Sequence, residues 1–330
     1  MFMKATILGL GYYLPDKVLT NKELEQMIDT TDAWIVERSG IRERHILASD
    51  EPCSLMAVEA ARRALEDANL DATDLDLIIV GTVTGDMLFP STACLLQAEL
   101  GALNAAAFDL GAGCTGFIYA LAVAEKFLLA SDMRHILVVG ADAVSKVLDY
   151  THRSTCVLFG DGAGAAVMSK ADGDYGIITS CLGADGRGAK DLYMPAGGSA
   201  IPPTLESVAQ KLHYLRMNGS EVFKFATKAM TGVSDSLIKQ AGLTYQDIDL
   251  FIPHQANIRI IQLAAKRMRI PMEKVFVNLD RCGNTSAGSI PVALAEAYQQ
   301  GRLKKRNIVL MVAFGTGLTY GGVILRWGRD

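Results

Sequence analysis

Two kinds of apolar run alternate along the chain. The segments LDLIIVG (75–81) and HILVVGAD (135–142) are continuous and rich in branched side chains, and each runs into glycine, as strands buried on both faces do. Between them, PSTACLLQAELGA (90–102) and TGFIYALAVAEKFLLAS (115–131) carry apolar residues at helical spacing. Strand-like and helix-like runs in alternation predict an α/β fold with buried sheets.

The same order returns in the second half. Asp74-Leu75-Asp76-Leu77-Ile78 matches Asp247-Ile248-Asp249-Leu250-Phe251, CTGFIYALA (114–122) lines up with SAGSIPVAL (286–294), and HILVVG (135–140) with NIVLMV (307–312), all at nearly the same offset. Each half closes on a glycine-rich, hairpin-like segment, FGDGAGAAVM (159–168) and FGTGLTYGGVIL (314–325). A shared offset across separate elements predicts an ancient duplication, with halves at 1–175 and 176–330. Residues 183–220 have no counterpart in the repeat, and the glycine- and proline-rich start of this segment predicts an inserted surface loop of the kind that covers sites.

At 330 residues and 50% hydrophobic content, the chain can bury a large core. A net charge of −4 argues against a general nucleic-acid binder and leaves room only for a local basic patch. The opening residues lack the apolar core and cleavage site of a signal peptide, and no stretch approaches the ~20 apolar residues of a membrane span, so the expected address is cytoplasmic, with no membrane partner. Six cysteines (Cys53, Cys94, Cys114, Cys156, Cys181, Cys282) are scattered without a C-x-x-C pair, which predicts neither a metal site nor a disulfide framework.

One cysteine stands apart. FDLGAGCTGF puts Cys114 between a predicted strand and a helix beginning near Thr115, among small residues that allow a sharp turn and close approach of a substrate. The unpaired N–H groups and dipole of that helix would favour thiolate, so the expected pKa lies below the free value of about 8.5. A cysteine that merely fills a tight turn is the other reading. In DLFIPHQANIRI, His254 follows a strand ending near Pro253, and in NLDRCGNTSAGS, Asn284 precedes the helix that corresponds to the one after Cys114. All three side chains then lie beyond strand ends, on the edge where open α/β sheets bind ligands. Taken singly, His254 reads as a core imidazole and Asn284 as a helix cap.

The set GCTGF, HQANIRI and GNTSAGS resembles the Cys-His-Asn set of the thiolase-like condensing enzymes, in the branch called β-ketoacyl-[acyl-carrier-protein] synthase III. WIVERSGIRERH (34–45), FGDGAGAAV (159–167) and NGSEVFKFA (218–226) resemble that family's segments in the same order, so the likeness covers essentially the whole chain.

The resemblance implies a duplicated five-layer α-β-α-β-α sandwich, a homodimer, and an acyltransferase that initiates type II fatty acid synthesis. It takes a short acyl group from acyl-CoA onto Cys114, then condenses it with malonyl-acyl-carrier protein by decarboxylation, with no cofactor. By that resemblance, His254 and Asn284 stabilise the enolate. The backbone N–H groups of Cys114 and Thr316 hold the oxyanion, Thr316 replacing the glycine commoner in the family. Trp34, Arg38 and Arg153 bind CoA, and Gly219, Phe223, Ala256 and Asn257 line the pantetheine tunnel. Met87 and Leu88 shape the acyl pocket together with Phe89, which the family uses to close the neighbouring subunit's pocket. Gln255, Arg259, Lys224, Lys266 and Arg267 meet the acyl-carrier protein, whose acidity suits a basic helix. The starter acyl group stays open. So do a relative that condenses CoA-bound substrates for a secondary metabolite, a Cys-His-Asn thioesterase, and a non-catalytic scaffold.

Overall fold

Uninterrupted apolar runs become strands with both faces covered. The computed structural model describes residues 3–330. In chain order the first part holds β1 (Met3–Tyr13), β2 (Val18–Thr20), α1 (Asn21–Met27), α2 (Asp32–Ser39), β3 (Glu43–His45), α3 (Cys53–Ala68), β4 (Leu77–Gly81), α4 (Thr92–Leu100), β5 (Ala106–Leu110), α5 (Gly116–Ala130), β6 (His135–Ala143), α6 (Arg153–Cys156) and β7 (Asp161–Asp172). There follow β8 (Gly176–Ala184), β9 (Leu192–Tyr193), α7 (Leu205–Ala209), β10 (Arg216–Met217) and α8 (Gly219–Ala241). The chain ends with β11 (Leu250–Pro253), α9 (Ile258–Met268), α10 (Leu279–Cys282), α11 (Ser289–Gln299), β12 (Ile308–Gly315) and β13 (Thr319–Arg326).

One sheet has the order β1-β7-β6-β4-β5 and the other β11-β12-β13-β8. In the first, β4 runs parallel to β5 and β6, and β7 returns antiparallel between β6 and β1. The second repeats the plan, with β11 parallel to β12 and β13 antiparallel to β12.

Three apolar clusters fill the spaces between layers. Side chains of α3 and α4 cover the outer face of the first sheet, and α8 and α9 cover that of the second. Between the sheets lie α5 and α11, whose Phe117, Leu121, Ile290 and Leu294 join one apolar cluster with side chains of both sheets. This is the five-layer α-β-α-β-α sandwich. Each fully buried branched residue, such as Ile78 or Ile79, contributes about 1.5–3 kcal/mol over its exposed state.

The described structure refines three expectations. Residues 113–130 form an 18-residue stretch apolar and long enough to span a bilayer, contrary to the expectation that none approaches that length; two thirds of it is buried in the fold, and it packs between the two sheets. The repeat is also tighter than the sequence alignment. Leu77 and Leu250 open β4 and β11, Gly116 and Ser289 open α5 and α11, and His135 and Ile308 open β6 and β12, each pair 173 residues apart. In this register Gly113, not Cys114, is the counterpart of Ser286. The segment 183–220 is structured: it carries β9, α7 and β10, and β9 pairs with β10 beside the site.

Candidate active site

Strand β5 ends at Leu110, and after Gly111 and Ala112 a short turn (Gly113–Thr115) leads into α5. Gly113 takes the left-handed conformation (φ 55°) that brings the chain round sharply enough to bury Cys114 at the turn. The β12–β13 turn closes on it from the second half. A Cβ on Gly315 would stand 2.6 Å from the Cys114 amide nitrogen, so this close approach requires glycine. Thr316 keeps a negative φ while Gly317 takes the left-handed position (φ 70°), so a threonine fits this turn without strain.

Burial pushes the Cys114 thiol up to about 12, and the nearby Asp142 carboxylate adds to the rise. A hydrogen bond from Ser286 Oγ, 3.4 Å away, and the cysteine's own amide oppose it. The expected low pKa is therefore corrected: the resting group is a thiol. Desolvation outweighs the helix terminus because the sulfur lies beneath the surface rather than in water.

His254 follows β11, its amide donating to Val312 O at 2.8 Å. Its Nδ1 lies 2.6 Å from Ser289 Oγ, which also faces the Gln255 amide at 3.4 Å. With the Gln255 amide donating to Ser289 Oγ and no other acceptor for the hydroxyl among the described residues, we assign its hydrogen to Nδ1, which puts the imidazole proton on Nε2. The ring meets Phe314 edge-on with centroids 5.2 Å apart. Burial lowers its pKa to about 3, so the imidazole is neutral across the working range. Because unfolding returns this group to about 6.5, the stability it carries is whole above that pH and is lost as pH falls toward 3. Thermal melts of wild type and His254→Gln from pH 4 to 8 check this: wild type should lose stability more steeply below pH 6.5 than the variant.

Asn284 is held by its backbone, donating to Leu158 O at 2.8 Å and accepting from Gly160 N at 3.0 Å. Its Oδ1 accepts the Ser286 amide at 2.9 Å, leaving the Nδ2 hydrogens for a ligand. Cys114, His254 and Asn284 line one cavity of about 80 Å³, together with Gly219, Phe223, Ala256, Asn257 and Phe314. The tunnel residues expected from the sequence thus converge on the three polar side chains. Asn257 caps α9 and its Nδ2 donates to Arg38 O at 2.9 Å, tying this wall to α2. On α2, Trp34 lies between two guanidinium groups, Arg38 at 4.9 Å and Arg153 at 5.0 Å from its ring centroid.

A second cavity of about 290 Å³ also reaches Cys114, walled by Val83, Val144, Val147, Leu192, Met194 and Leu215 among others. Sequence reasoning missed these walls, which come from well-separated segments. Met87, Leu88 and Phe89 do not line this cavity and are exposed on the chain's surface. The expectation for Gln255 is corrected. It is buried, donating to Pro253 O and Phe276 O and accepting from Asn278 N, so it cannot reach a docked protein. Arg259, Lys224, Lys266 and Arg267 are exposed on α8 and α9, with Arg259 stacked 5.8 Å from the Phe223 ring beside the tunnel.

A buried thiol, an imidazole and a carboxamide gathered in one cavity on a doubled five-layer α/β core fit a condensing enzyme of the thiolase fold. Residues 108–186 match the family model described as 3-oxoacyl-[acyl-carrier-protein] synthase III, and residues 238–327 match the model of its C-terminal part. The chain is 62% identical over 328 residues to the β-ketoacyl-[acyl-carrier-protein] synthase III of Syntrophomonas wolfei, covering 99% of each. The crystal structure of the corresponding synthase from Thermus thermophilus superposes with a TM-score of 0.91 at 47% identity, over 98% of this chain and 100% of that one. The priming β-ketosynthase of the R1128 polyketide pathway superposes with the same score at 37% identity, over 99% of this chain and 97% of that one. The chain belongs to the β-ketoacyl-[acyl-carrier-protein] synthase III family of acyl-transferring condensing enzymes.

Proposed function

We propose that the chain primes type II fatty acid synthesis by two reactions at Cys114. The cavity shared by Cys114, His254 and Asn284 is the observation that carries this reading. In the first reaction the sulfur attacks a short acyl-CoA. A new carbon–sulfur bond forms, the bond to CoA breaks, and the thiol proton ends on the departing CoA. The amides of Cys114 and Thr316 hold the transient oxyanion. In the second, malonyl-acyl-carrier protein loses carbon dioxide. His254 Nε2–H and Asn284 Nδ2–H stabilise the enolate oxygen, and the carbanion attacks the acyl carbonyl. The carbon–sulfur bond breaks, and the thiolate takes a proton from solvent to restore the thiol.

Trp34, Arg38 and Arg153 bind the CoA nucleotide, since guanidinium groups both stack on a base and meet phosphate. Lys224, Arg259, Lys266 and Arg267 dock the acidic carrier protein. The enzyme works as a cytoplasmic homodimer without a cofactor. In support of the dimer, β5 is paired among the described residues only with β4, and Leu88 and Phe89 are 82% and 83% exposed, free to cover a second copy.

Steady-state assays with acetyl-CoA and either malonyl-acyl-carrier protein or malonyl-CoA, at two salt concentrations, test the reading. The carrier-bound substrate should react faster, and more so at low salt, because exposed charges are screened beyond about 10 Å at 0.1 M. Arg259→Glu should raise the Michaelis constant for malonyl-acyl-carrier protein about tenfold while leaving acetyl transfer from CoA nearly unchanged. Equal rates with both malonyl donors would favour the secondary-metabolite condensing enzyme instead.

A further inference from the structure

Ser286 opens the turn Ser286–Gly288 ahead of α11 with φ 51°, in the left-handed region that strains a side-chain-bearing residue. In the 173-residue register its counterpart is Gly113, which opens the equivalent turn ahead of α5 with φ 55°. The two halves thus use the same backbone shape, with glycine in one and serine in the other. Strain of this kind persists only where surrounding contacts fix it, and it gathers at functional positions. Here those contacts are visible. The Ser286 amide donates to Asn284 Oδ1 at 2.9 Å, and the next amide, Ala287, donates to Asp142 Oδ2 at 3.1 Å. Asp142 is buried and also accepts from Thr82 and Thr84, so the turn is anchored across the two halves.

The strained backbone aims one group. Ser286 Oγ lies 3.4 Å from Cys114 Sγ, and both residues are buried, at 4% and 6% exposure. Among the described residues no other side chain donates to that sulfur. A glycine would relieve the backbone but would leave the sulfur without this donor.

We propose that Ser286 is a catalytic residue whose hydroxyl donates to the Cys114 sulfur, stabilising it as thiolate when it attacks acyl-CoA and again when it leaves the condensation product. The proposal rests on Cys114 being the acylated nucleophile. A hydroxyl donates weakly to a neutral thiol and strongly to a thiolate, so the interaction grows where charge develops. It also offsets the Asp142 carboxylate, which disfavours negative charge on the sulfur. The other two polar residues serve a different charge, the enolate oxygen, so loss of Ser286 should have its own signature.

The test follows alkylation of Cys114 by iodoacetamide as a function of pH, read by peptide mass mapping, in full-length wild type, Ser286→Ala and Ser286→Gly. Both variants should shift the Cys114 profile upward by about one pH unit, the tenfold expected from one hydrogen bond to a charged group. Acetyl transfer, and condensation on enzyme acetylated beforehand, should each slow by about 10- to 100-fold. Ser286→Gly suits the left-handed backbone and keeps the test open should Ser286→Ala misfold. Wild-type alkylation profiles in a folded variant would overturn the proposal. An acetyl adduct on a residue other than Cys114 would instead overturn the underlying reading.

Discussion

His254→Ala and Asn284→Ala should each lose malonyl decarboxylation by a factor of about 10² or more, the usual loss for one oxyanion donor, while still acylating Cys114. The division follows from where their hydrogens point. His254 is neutral and presents Nε2–H because Ser289 occupies Nδ1, and Asn284 presents Nδ2 because the Ser286 amide occupies Oδ1. Neither is hydrogen-bonded to the Cys114 sulfur, whose side-chain partner is Ser286. On the proposed reading acyl transfer draws on the two backbone amides instead, and so should survive loss of either side chain. Single-turnover assays of acetyl transfer and of carbon dioxide release from malonyl-acyl-carrier protein check the split. Equal loss of both steps in both variants would mean that the two residues serve acyl transfer as well.

Much of this arrangement was legible before any coordinates. Cys114 and Asn284 lie in the loops ahead of the corresponding helices α5 and α11, and His254 follows β11, so the repeated pattern pointed to these loops, although Asn284 follows α10 where a strand was expected. The lining by Gly219, Phe223, Ala256 and Asn257 came instead through a family likeness, and the geometry brings those residues to the same cavity. What spacing could not supply was depth. A cysteine at a helix start reads as an activated thiolate, yet burial reverses the direction of its shift. Gln255, a polar residue next to His254, reads as a surface contact, yet its amide is spent on buried backbone groups. The second cavity was invisible because its walls come from the β4 loop, the residues after β6, and β9 with its flanks.

Ser286 was missed for a narrower reason. The sequence alignment set it opposite Cys114, one residue out of the structural register, so its likeness to Gly113 and its positive φ were hidden. The signal was nonetheless present in GNTSAGS, where serine stands in a turn whose counterpart in the first half holds glycine.

The second large effect concerns the nucleophile itself. Cys114→Ala should abolish the acyl-enzyme and with it condensation, because no other cysteine among the described residues lines the cavity shared with His254 and Asn284. Cys53, Cys156 and Cys282 are buried elsewhere, where desolvation raises their pKa values. Cys94 is exposed on α4, and Cys181 lies on β8 against α8. The measurement is intact mass after incubation with acetyl-CoA alone, followed by peptide mapping. Wild type should gain one acetyl group, on Cys114, and Cys114→Ala should gain none. An adduct of equal yield in Cys114→Ala would contradict the account at its centre.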